Sequence, residues 1–451
     1  MSTLPNTIFV QIASYRDEQL VPTLKDLISH AASPSLLRIV VCWQHAQEER
    51  IDIFLSQGFL PLSTDVQHNF VVHVLSHGSA VIELIDIPHF QTQGVCWARN
   101  LIQQRYRGER YTLQLDAHHR FVDHWDSILV AMLQSLRDQS PKPVLTTYPP
   151  AFTPEEDPTS RIMQPTVMVF DRFNWEGFPV ITTRYMADIE GERPLPSRFY
   201  AAGFAFADGT FSIEVQHDPN YFFLGEEMSI AARAFTHGYD FYHPNTIVLW
   251  HRYNLTSGPK ICEDHTPDAR IRGNIEMDWE QRVERGRRRF LDFFGMTHPP
   301  IKGTDFGPYG LGCHRSLTQY ERYVGLSFAH RGAHPSAYKG TPPPTKYHMP
   351  DDQWLDNLHR SNEIRVIKHE SDICHSRHIS FAQLQALGSN GAVIQQRRLD
   401  RLALDHCLHF GWFEYMWSFT TELHTFPERY TLEWFDEDGQ SLAKTGDSCP
   451  H

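Results

Sequence analysis

Strand-like and helix-like segments alternate along the first third of the chain. The strand-like runs, short and apolar, are residues 7–13, 37–43, 69–75, 80–87 and 111–115. The segments with apolar residues at helical spacing are 23–32, 94–106 and 125–136. This alternation predicts an α/β fold with a mainly parallel sheet flanked by helices. The carboxyl ends of the parallel strands then meet at one edge, where such folds bind ligands.

Composition and charge exclude several classes of protein. Hydrophobic residues make up 41% of the 451 residues and charged residues 21%, as in globular proteins with a sizeable core. The net charge of -13 argues against a nucleic acid backbone or an anionic membrane as main partner, because both select basic surfaces. The sequence has no apolar run approaching the roughly 18 to 20 residues of a membrane span.

The N-terminus and the cysteines indicate a cytoplasmic location. Residues 1–7 lack the basic start and apolar core of a signal peptide. The seven cysteines are scattered, and the sequence contains no Cys-x-x-Cys pair. Free thiols in a reducing compartment are the simplest explanation.

A proline-rich segment divides the chain. Residues 331–351 include Pro342-Pro343-Pro344 and are interpreted as a linker. Residues 1–330 would then form the main domain. Residues 352–451 contain several short strand-like runs, and we expect them to form a small accessory domain rich in β-strands.

Asp116 and His118 follow the strand-like run 111–115. Their side chains face the same opening, because their positions differ by two. One carboxylate and one imidazole suit a divalent cation: manganese or magnesium if oxygen ligands dominate, zinc if more nitrogen joins. The chain has 27 histidines, so the pattern alone is weak, and a solvated strand end with incidental histidines is the favoured interpretation of it when taken by itself. A second strand-like run ends at His251, which could be the third ligand or a lone, partly buried histidine.

Other polar residues cluster near these predicted strand ends. Arg99 lies on the helix before the Asp116 strand, where its fork-shaped guanidinium could reach a diphosphate; a surface charge is the alternative, and Arg120 has the same two interpretations. Gly225 marks a turn, and Glu226 and Glu227 then occupy the first turn of a helix. Acidic groups stabilise the helix dipole there, which could be their whole role.

Taken together, these motifs resemble a glycosyltransferase of the GT-A fold. The chain is similar to the cytoplasmic Skp1-type hydroxyproline polypeptide N-acetylglucosaminyltransferases, including the bacterial members, and more distantly to polypeptide N-acetylgalactosaminyltransferases. The segments that carry the resemblance are 8–17, 94–100, 115–121, 223–227, 237–240, 251–253, 309–312 and 315–317.

The resemblance implies a UDP-sugar donor, with UDP-N-acetylglucosamine as the expected one, and Mn2+ or Mg2+. It assigns the metal to Asp116, His118 and His251. It further implies contacts of the donor with Ser14, Arg16, Arg99, Arg120 and Gly225, and a catalytic region of Arg99, Glu226 and Glu227. The family has serine and methionine where Ala117 and His119 stand here, which leaves the donor sugar open.

The family transfers sugar with retention of anomeric configuration, and the acceptor would be a hydroxyl on a protein hydroxyproline or on a glycan. Glu226 or Glu227 could be a covalent nucleophile, or could only hold sugar hydroxyls, which we favour. Two other functions stay open: metal-dependent hydrolysis of a nucleotide sugar, and a nucleotide- or carbohydrate-binding module without catalysis.

Overall fold

The structure is a computed structural model in which the chain forms two compact units. The described residues are 4–67, 70–186, 193–253, 258–297, 304–345, 350–369, 379–409 and 411–449. The first unit comprises residues 1–169, 182–324 and 340–347. The second comprises 170–181, 325–339 and 348–451.

A ten-stranded sheet forms the centre of the first unit, in the order β11-β13-β8-β12-β6-β1-β2-β5-β4-β3. Its strands are β1 (Leu4–Tyr15), β2 (Leu37–His45), β3 (Leu60–Gln67), β4 (Phe70–His77), β5 (Ala80–Pro88), β6 (Glu109–Leu115), β8 (Pro143–Thr146), β11 (Leu195–Ser197), β12 (Phe204–Asp208) and β13 (Asp240–His243). The four neighbours β6, β1, β2 and β5 are parallel. Antiparallel pairs flank them on both sides. The predicted α/β class is therefore confirmed, with the parallel strands at the centre of a mixed sheet.

Helices cover both faces of this sheet. They are α1 (Leu20–Ser29), α2 (Asp52–Leu55), α3 (Val95–Gln103), α4 (Trp125–Gln134), α5 (Phe211–Glu214), α6 (Glu226–Thr236), α7 (Ile261–Asp264), α8 (Pro267–Ile271), α9 (Trp279–Phe293) and α10 (Leu317–Val324). Side chains alternate along β1, so Val10 joins a core with Leu24 of α1, while Phe9 joins a core with Ile102 of α3. None of the described helices combines the length and the apolar character needed to cross a membrane.

Two predictions of single elements differ from the structure. The strand-like run that ends at His251 begins at Phe241 and was expected to form one strand, but it is divided between β13 and β14 (Leu249–His251). Pro244 lies directly after β13 and cannot donate a ladder hydrogen bond, which explains the interruption. Strand β3 was not predicted. Leu60, Leu62 and Val66 alternate with less apolar residues along it, but these three side chains are exposed and join no core.

The remaining strands of the chain form small sheets. Strand β7 (His119–Phe121) pairs with β14, and β9 (Thr166–Phe173) pairs with β10 (Pro179–Tyr185). The second unit contains a five-stranded and a four-stranded sheet, which share one hydrophobic core. Its elements are β15 (Leu326–Ser327), β16 (Gly332–Ala333), α11 (Pro335–Tyr338), α12 (Asp351–Leu355), β17 (His359–His369), β18 (Phe381–Leu387), β19 (Val393–Leu399), α13 (Arg401–Cys407), β20 (Leu408–His409), β21 (Trp412–Glu422), β22 (Arg429–Phe435) and β23 (Ser441–Ser448). The β-rich character predicted for the C-terminal region is confirmed.

Candidate active site

The two short strands β7 and β14 bring distant parts of the chain together. Strand β6 ends at Leu115, so Asp116 and His118 lie in the connection to β7. Strand β14 pairs antiparallel with β7, and His251 lies opposite His119. This register places His251 beside the connection that carries Asp116 and His118.

Asp116, His118 and His251 form a compact cluster of possible metal ligands. The Nε2 atoms of the two histidines are 3.1 Å apart, and Asp116 Oδ2 lies 3.3 Å from His251 Nε2. One ligand atom from each residue lies within 4.8 Å of the others. Neighbouring ligands with bonds of about 2.1 Å at a right angle are about 3 Å apart, so the geometry fits a divalent cation.

Gly203 leaves open space beside this cluster. A Cβ atom at Gly203 would lie 2.8 Å from Asp116 Oδ2 and 3.9 Å from His251 Nε2. The Gly203 carbonyl also accepts a hydrogen bond from the Asp116 amide at 3.3 Å, and it lies 3.1 Å from His119 Nε2. The glycine therefore keeps one side of the carboxylate free while fixing the backbone around it.

Arg99 joins the cluster to the glutamate pair. Its guanidinium is 3% exposed and donates from Nη2 to Asp116 Oδ1 at 2.7 Å and from Nη1 to Glu226 Oε1 at 2.8 Å. Helix α3 carries Arg99 and begins after Gly94, where a Cβ would lie 2.9 Å from the Phe222 carbonyl oxygen. Burial opposes the charge of Arg99, but the carboxylates of Glu226 and Asp116 outweigh it and raise the pKa of Arg99.

Glu226 is buried, and protein groups face both of its oxygens. Beyond the Arg99 contact, Cys96 donates its thiol hydrogen to Oε2, and His217 Nδ1 lies 3.6 Å from the same oxygen. Burial raises the pKa of Glu226, but the charge of Arg99 and the contacts with His217 and Cys96 lower it below its usual range overall. The side chains of Cys96, His217 and Glu226 also lie close enough together to hold a metal ion. We do not assign a metal there, because the Arg99 guanidinium already provides the positive charge that faces Glu226.

Glu227 has a different environment from its neighbour. Tyr148 donates a hydrogen bond to Oε2, and the Ala202 amide donates to Oε1 at 2.7 Å. Burial raises the pKa of Glu227 to about 7. Gly225 precedes the two glutamates with a φ of 85° and starts helix α6 from the left-handed region, where glycine is favoured. Adjacent residues on one helix therefore have carboxyl groups whose pKa values shift in opposite directions, downwards for Glu226 and upwards for Glu227.

Ser14 and Arg16 lie at the carboxyl end of β1. Ser14 is 1% exposed, and its hydroxyl has no hydrogen-bond partner among the described residues. Arg16 donates from Nη1 to both carboxylate oxygens of Asp264, at 2.7 and 2.9 Å, and the Tyr15 hydroxyl donates to Asp264 at 2.6 Å. Helix α7, which follows the His251 strand along the chain, is thereby joined to the end of β1.

Arg120 contacts residues outside the cluster of Asp116, His118 and His251. Its guanidinium donates to Gln19 at 2.7 Å and to the His119 carbonyl at 2.8 Å, and it lies 5.0 Å from the centre of the Phe152 ring. Of the residues predicted from the sequence, the structure brings together Arg99, Asp116, His118, Glu226 and His251, but not Arg120.

Sequence reasoning missed four residues that contact the site: Asp17, Cys96, Tyr148 and His217. Asp17 Oδ2 lies 2.6 Å from His118 Nδ1, although 101 positions separate the two residues. Asp17 is a polar residue just after the first strand, and this position is the signal by which it could have been added to the predicted site residues.

Comparisons with known proteins agree with the class of protein that the sequence resembles. A family model described as Glycosyltransferase (GlcNAc) matches residues 7–330. A comparison with curated proteins gives no match.

Three solved structures are distantly similar to the chain. A structure of GalNAc-T7 with UDP, GalNAc and Mn2+ is 14% identical, with a TM-score of 0.40, over 70% of this chain and 54% of that chain. The chain thus spans about half of that structure. The mannosyltransferase PcManGT from Pyrobaculum calidifontis, in complex with GDP-Man and Mn2+, is 10% identical with a TM-score of 0.34, over 56% of this chain and 58% of that chain. A structure of S. aureus TarS residues 1–349 with UDP is 9% identical, with a TM-score of 0.35, over 72% of this chain and 80% of that chain. Likeness at this level assigns no function to the chain.

Proposed function

The chain belongs to the glycosyltransferase family described as Glycosyltransferase (GlcNAc), and on that premise we propose that it transfers N-acetylglucosamine from UDP-N-acetylglucosamine to a hydroxyl acceptor. The transfer depends on a divalent cation, Mn2+ or Mg2+. The observation that supports this most directly is the cluster of Asp116, His118 and His251, with Arg99 behind it.

The charges around the cluster favour a divalent cation. Asp17, Asp116 and Glu226 supply three negative charges, and Arg99 supplies one positive charge. With both histidines neutral, these groups carry a net charge of about two negatives. A cation held by Asp116, His118 and His251 neutralises this charge and acts as a Lewis acid on the diphosphate oxygens.

The protein groups have separate roles in this proposal. Ser14 and Arg16 contact the uridine, which the buried and unpartnered Ser14 hydroxyl supports. Arg99 keeps Asp116 in position and adds positive charge close to the diphosphate. Gly225 and Glu227 face the sugar and the incoming acceptor, and Glu227 accepts hydrogen bonds from sugar hydroxyls. Glu226 acts as the anchor of Arg99 and not as a nucleophile, because protein groups already engage both of its oxygens.

Finer assignments of mechanism and acceptor follow from the resemblance, and those of domain bounds and location also rest on the sequence. The retaining mechanism proceeds by front-face attack, and the acceptor is a hydroxyproline of a protein or a glycan hydroxyl, as in the Skp1-type enzymes. The catalytic domain extends to residue 330, residues 331–351 link it to the accessory domain, and the protein acts in the cytoplasm. The six described cysteines are free thiols, which supports a reducing compartment.

A donor screen tests the proposal. The protein is incubated with Mn2+ and a panel of nucleotide sugars, with and without peptide and glycan acceptors, and UDP and free sugar are measured. We expect consumption of UDP-N-acetylglucosamine that stops when the metal is chelated. We expect Asp116→Ala and His251→Ala to lower the rate on the order of 100-fold or more. His314→Ala, which changes an exposed histidine of the same unit, serves as the matched control.

The same screen separates the alternatives. Release of N-acetylglucosamine at the full rate without acceptor would identify a hydrolase. UDP binding without turnover, and without dependence on Mn2+, would identify a binding module. Full activity of the Asp116→Ala variant would contradict the metal assignment.

A further inference from the structure

The ring of His118 has a polar partner on each side. Its Nε2 atom faces His251 Nε2 at 3.1 Å, inside the cluster. Its Nδ1 atom lies 2.6 Å from Asp17 Oδ2, outside the cluster. A neutral imidazole has one N–H group, and an ionised carboxylate can only accept a hydrogen bond. A histidine that binds a metal through Nε2 is neutral and has its lone pair on that atom, so the hydrogen of His118 would lie on Nδ1, towards Asp17.

Asp17 is itself held in place. Its Oδ1 atom accepts a hydrogen bond from the Gln19 amide at 2.8 Å, and its carbonyl accepts one from the Leu20 amide at 3.2 Å. The Asp17 side chain is 13% exposed. Asp17 lies in the turn between β1 and α1, so the strand on one side and the helix on the other fix its position. A carboxylate held in this way can orient the ring that it contacts.

The other two residues of the cluster are supported differently. Asp116 is paired with Arg99 at 2.7 Å. His251 is fixed by its backbone: its amide donates to the Pro150 carbonyl at 3.0 Å, and its carbonyl accepts from the Phe152 amide at 3.1 Å. Its Nδ1 atom is buried without a hydrogen-bond partner among the described residues. Asp17 is therefore the carboxylate that supports a histidine of this cluster from behind.

We propose that Asp17 is a positioning residue for the cation, fixing the tautomer and ring orientation of His118 so that its Nε2 atom binds the metal. This inference rests on the proposed function, because it assumes that His118 is a metal ligand. A carboxylate behind a ligating histidine also strengthens the histidine as a ligand. Asp17 follows Ser14 and Arg16 in the same turn, so one turn serves both the nucleotide and the metal.

Mn2+ binding to the full-length, metal-free protein tests this role without measuring activity. Free Mn2+ is titrated by electron paramagnetic resonance in the presence of UDP. We expect Asp17→Ala to weaken Mn2+ affinity by about 10- to 100-fold, and Asp17→Asn by about 10-fold. Glu18→Gln is the matched control. It alters the adjacent carboxylate, which is 63% exposed and pairs with Arg252, and it should leave the affinity unchanged.

His118→Ala completes the test. If His118→Ala weakens Mn2+ binding and both Asp17 variants bind as the wild type does, the positioning role is wrong while the metal site stands. If His118→Ala also binds Mn2+ normally, the metal assignment fails, and the role of Asp17 fails with it. Asp17→Asn keeps the oxygen that accepts from the Gln19 amide, so it decides the question if Asp17→Ala does not fold.

Discussion

Arg99 Nη2 lies 2.7 Å from Asp116 Oδ1, and the other terminal nitrogen of the same guanidinium lies 2.8 Å from Glu226 Oε1. One buried arginine thus spans a carboxylate of the candidate metal cluster and a carboxylate of the predicted catalytic pair. This arrangement needs a planar fork with two terminal nitrogens, which only arginine offers. The hydrogen-bond network therefore joins helix α3, the end of β6 and helix α6.

Arg99→Lys should lower transfer on the order of 100-fold, because one ammonium group cannot reach Asp116 and Glu226 in the same geometry. The rate is measured as UDP release under saturating Mn2+ and donor. Arg120→Lys is the matched control, since its guanidinium contacts Gln19 and the His119 carbonyl instead. Equal losses in the two variants would contradict the special position of Arg99.

Glu226→Gln should destabilise the protein more than Glu227→Gln does. Glu226 is the buried counter-charge of Arg99, and breaking a buried ion pair costs about 3 to 5 kcal/mol. Glu227 faces Tyr148 and the Ala202 amide, which a glutamine can also contact. The free energy of unfolding is measured by urea denaturation of both variants. A Glu226→Gln variant of wild-type stability that accumulates a trapped donor complex would instead favour Glu226 as a nucleophile.

The stability of the protein should depend on pH through Glu227. Its folded-state pKa is raised by burial to about 7, from an ordinary value of 4.5. The folded state thus holds the proton more tightly than the unfolded state does. The stability contribution of Glu227 is fully present below about pH 4.5 and is lost as the pH rises through about 7.

Glutamine does not ionise, so the Glu227→Gln variant does not lose this stability as the pH rises. Its melting temperature minus that of the wild type should therefore increase from pH 5 to pH 8. We expect a relative shift on the order of a few degrees. The measurement is thermal unfolding of both proteins at several pH values in that range. A constant difference between the two proteins would show that the pKa of Glu227 is not raised.

The positions of several site residues at predicted strand ends are sufficient to predict that they lie close together. Asp116, His118 and His251 each follow or end a strand-like run, and the carboxyl ends of neighbouring strands meet at one edge of a sheet. The structure brings them together, although His251 reaches the cluster through the small strand β14 and not through the main sheet. The alternation of strands and helices was also sufficient to predict the α/β class.

Contacts between distant residues could not be predicted in the same way. The pair Asp17 and His118 and the pair Tyr148 and Glu227 are separated by 101 and 79 positions, and no local pattern marks them. Asp17 and His118 follow the neighbouring parallel strands β1 and β6, so their proximity depends on the strand order of the sheet. Tyr148 follows β8 and Glu227 lies on α6, so their contact depends on how that helix packs. The separate roles of Glu226 and Glu227 also arise from packing, since the two residues are adjacent in the sequence.

Gly203→Ala should impair metal-dependent transfer with little effect on folding. The added Cβ would lie 2.8 Å from Asp116 Oδ2, closer than van der Waals contact allows, so the carboxylate must shift from its position in the cluster. We expect weaker Mn2+ binding and a rate that falls at least about 10-fold at subsaturating metal, because small displacements of charged groups strongly affect catalysis. Gly310→Ala is the matched control, since its Cβ would meet its nearest atom at an ordinary 3.5 Å and its φ is -77°. Titration of the rate with Mn2+ measures the effect, and identical titration curves for the two variants would mean that the space beside Asp116 is not used by a metal or donor.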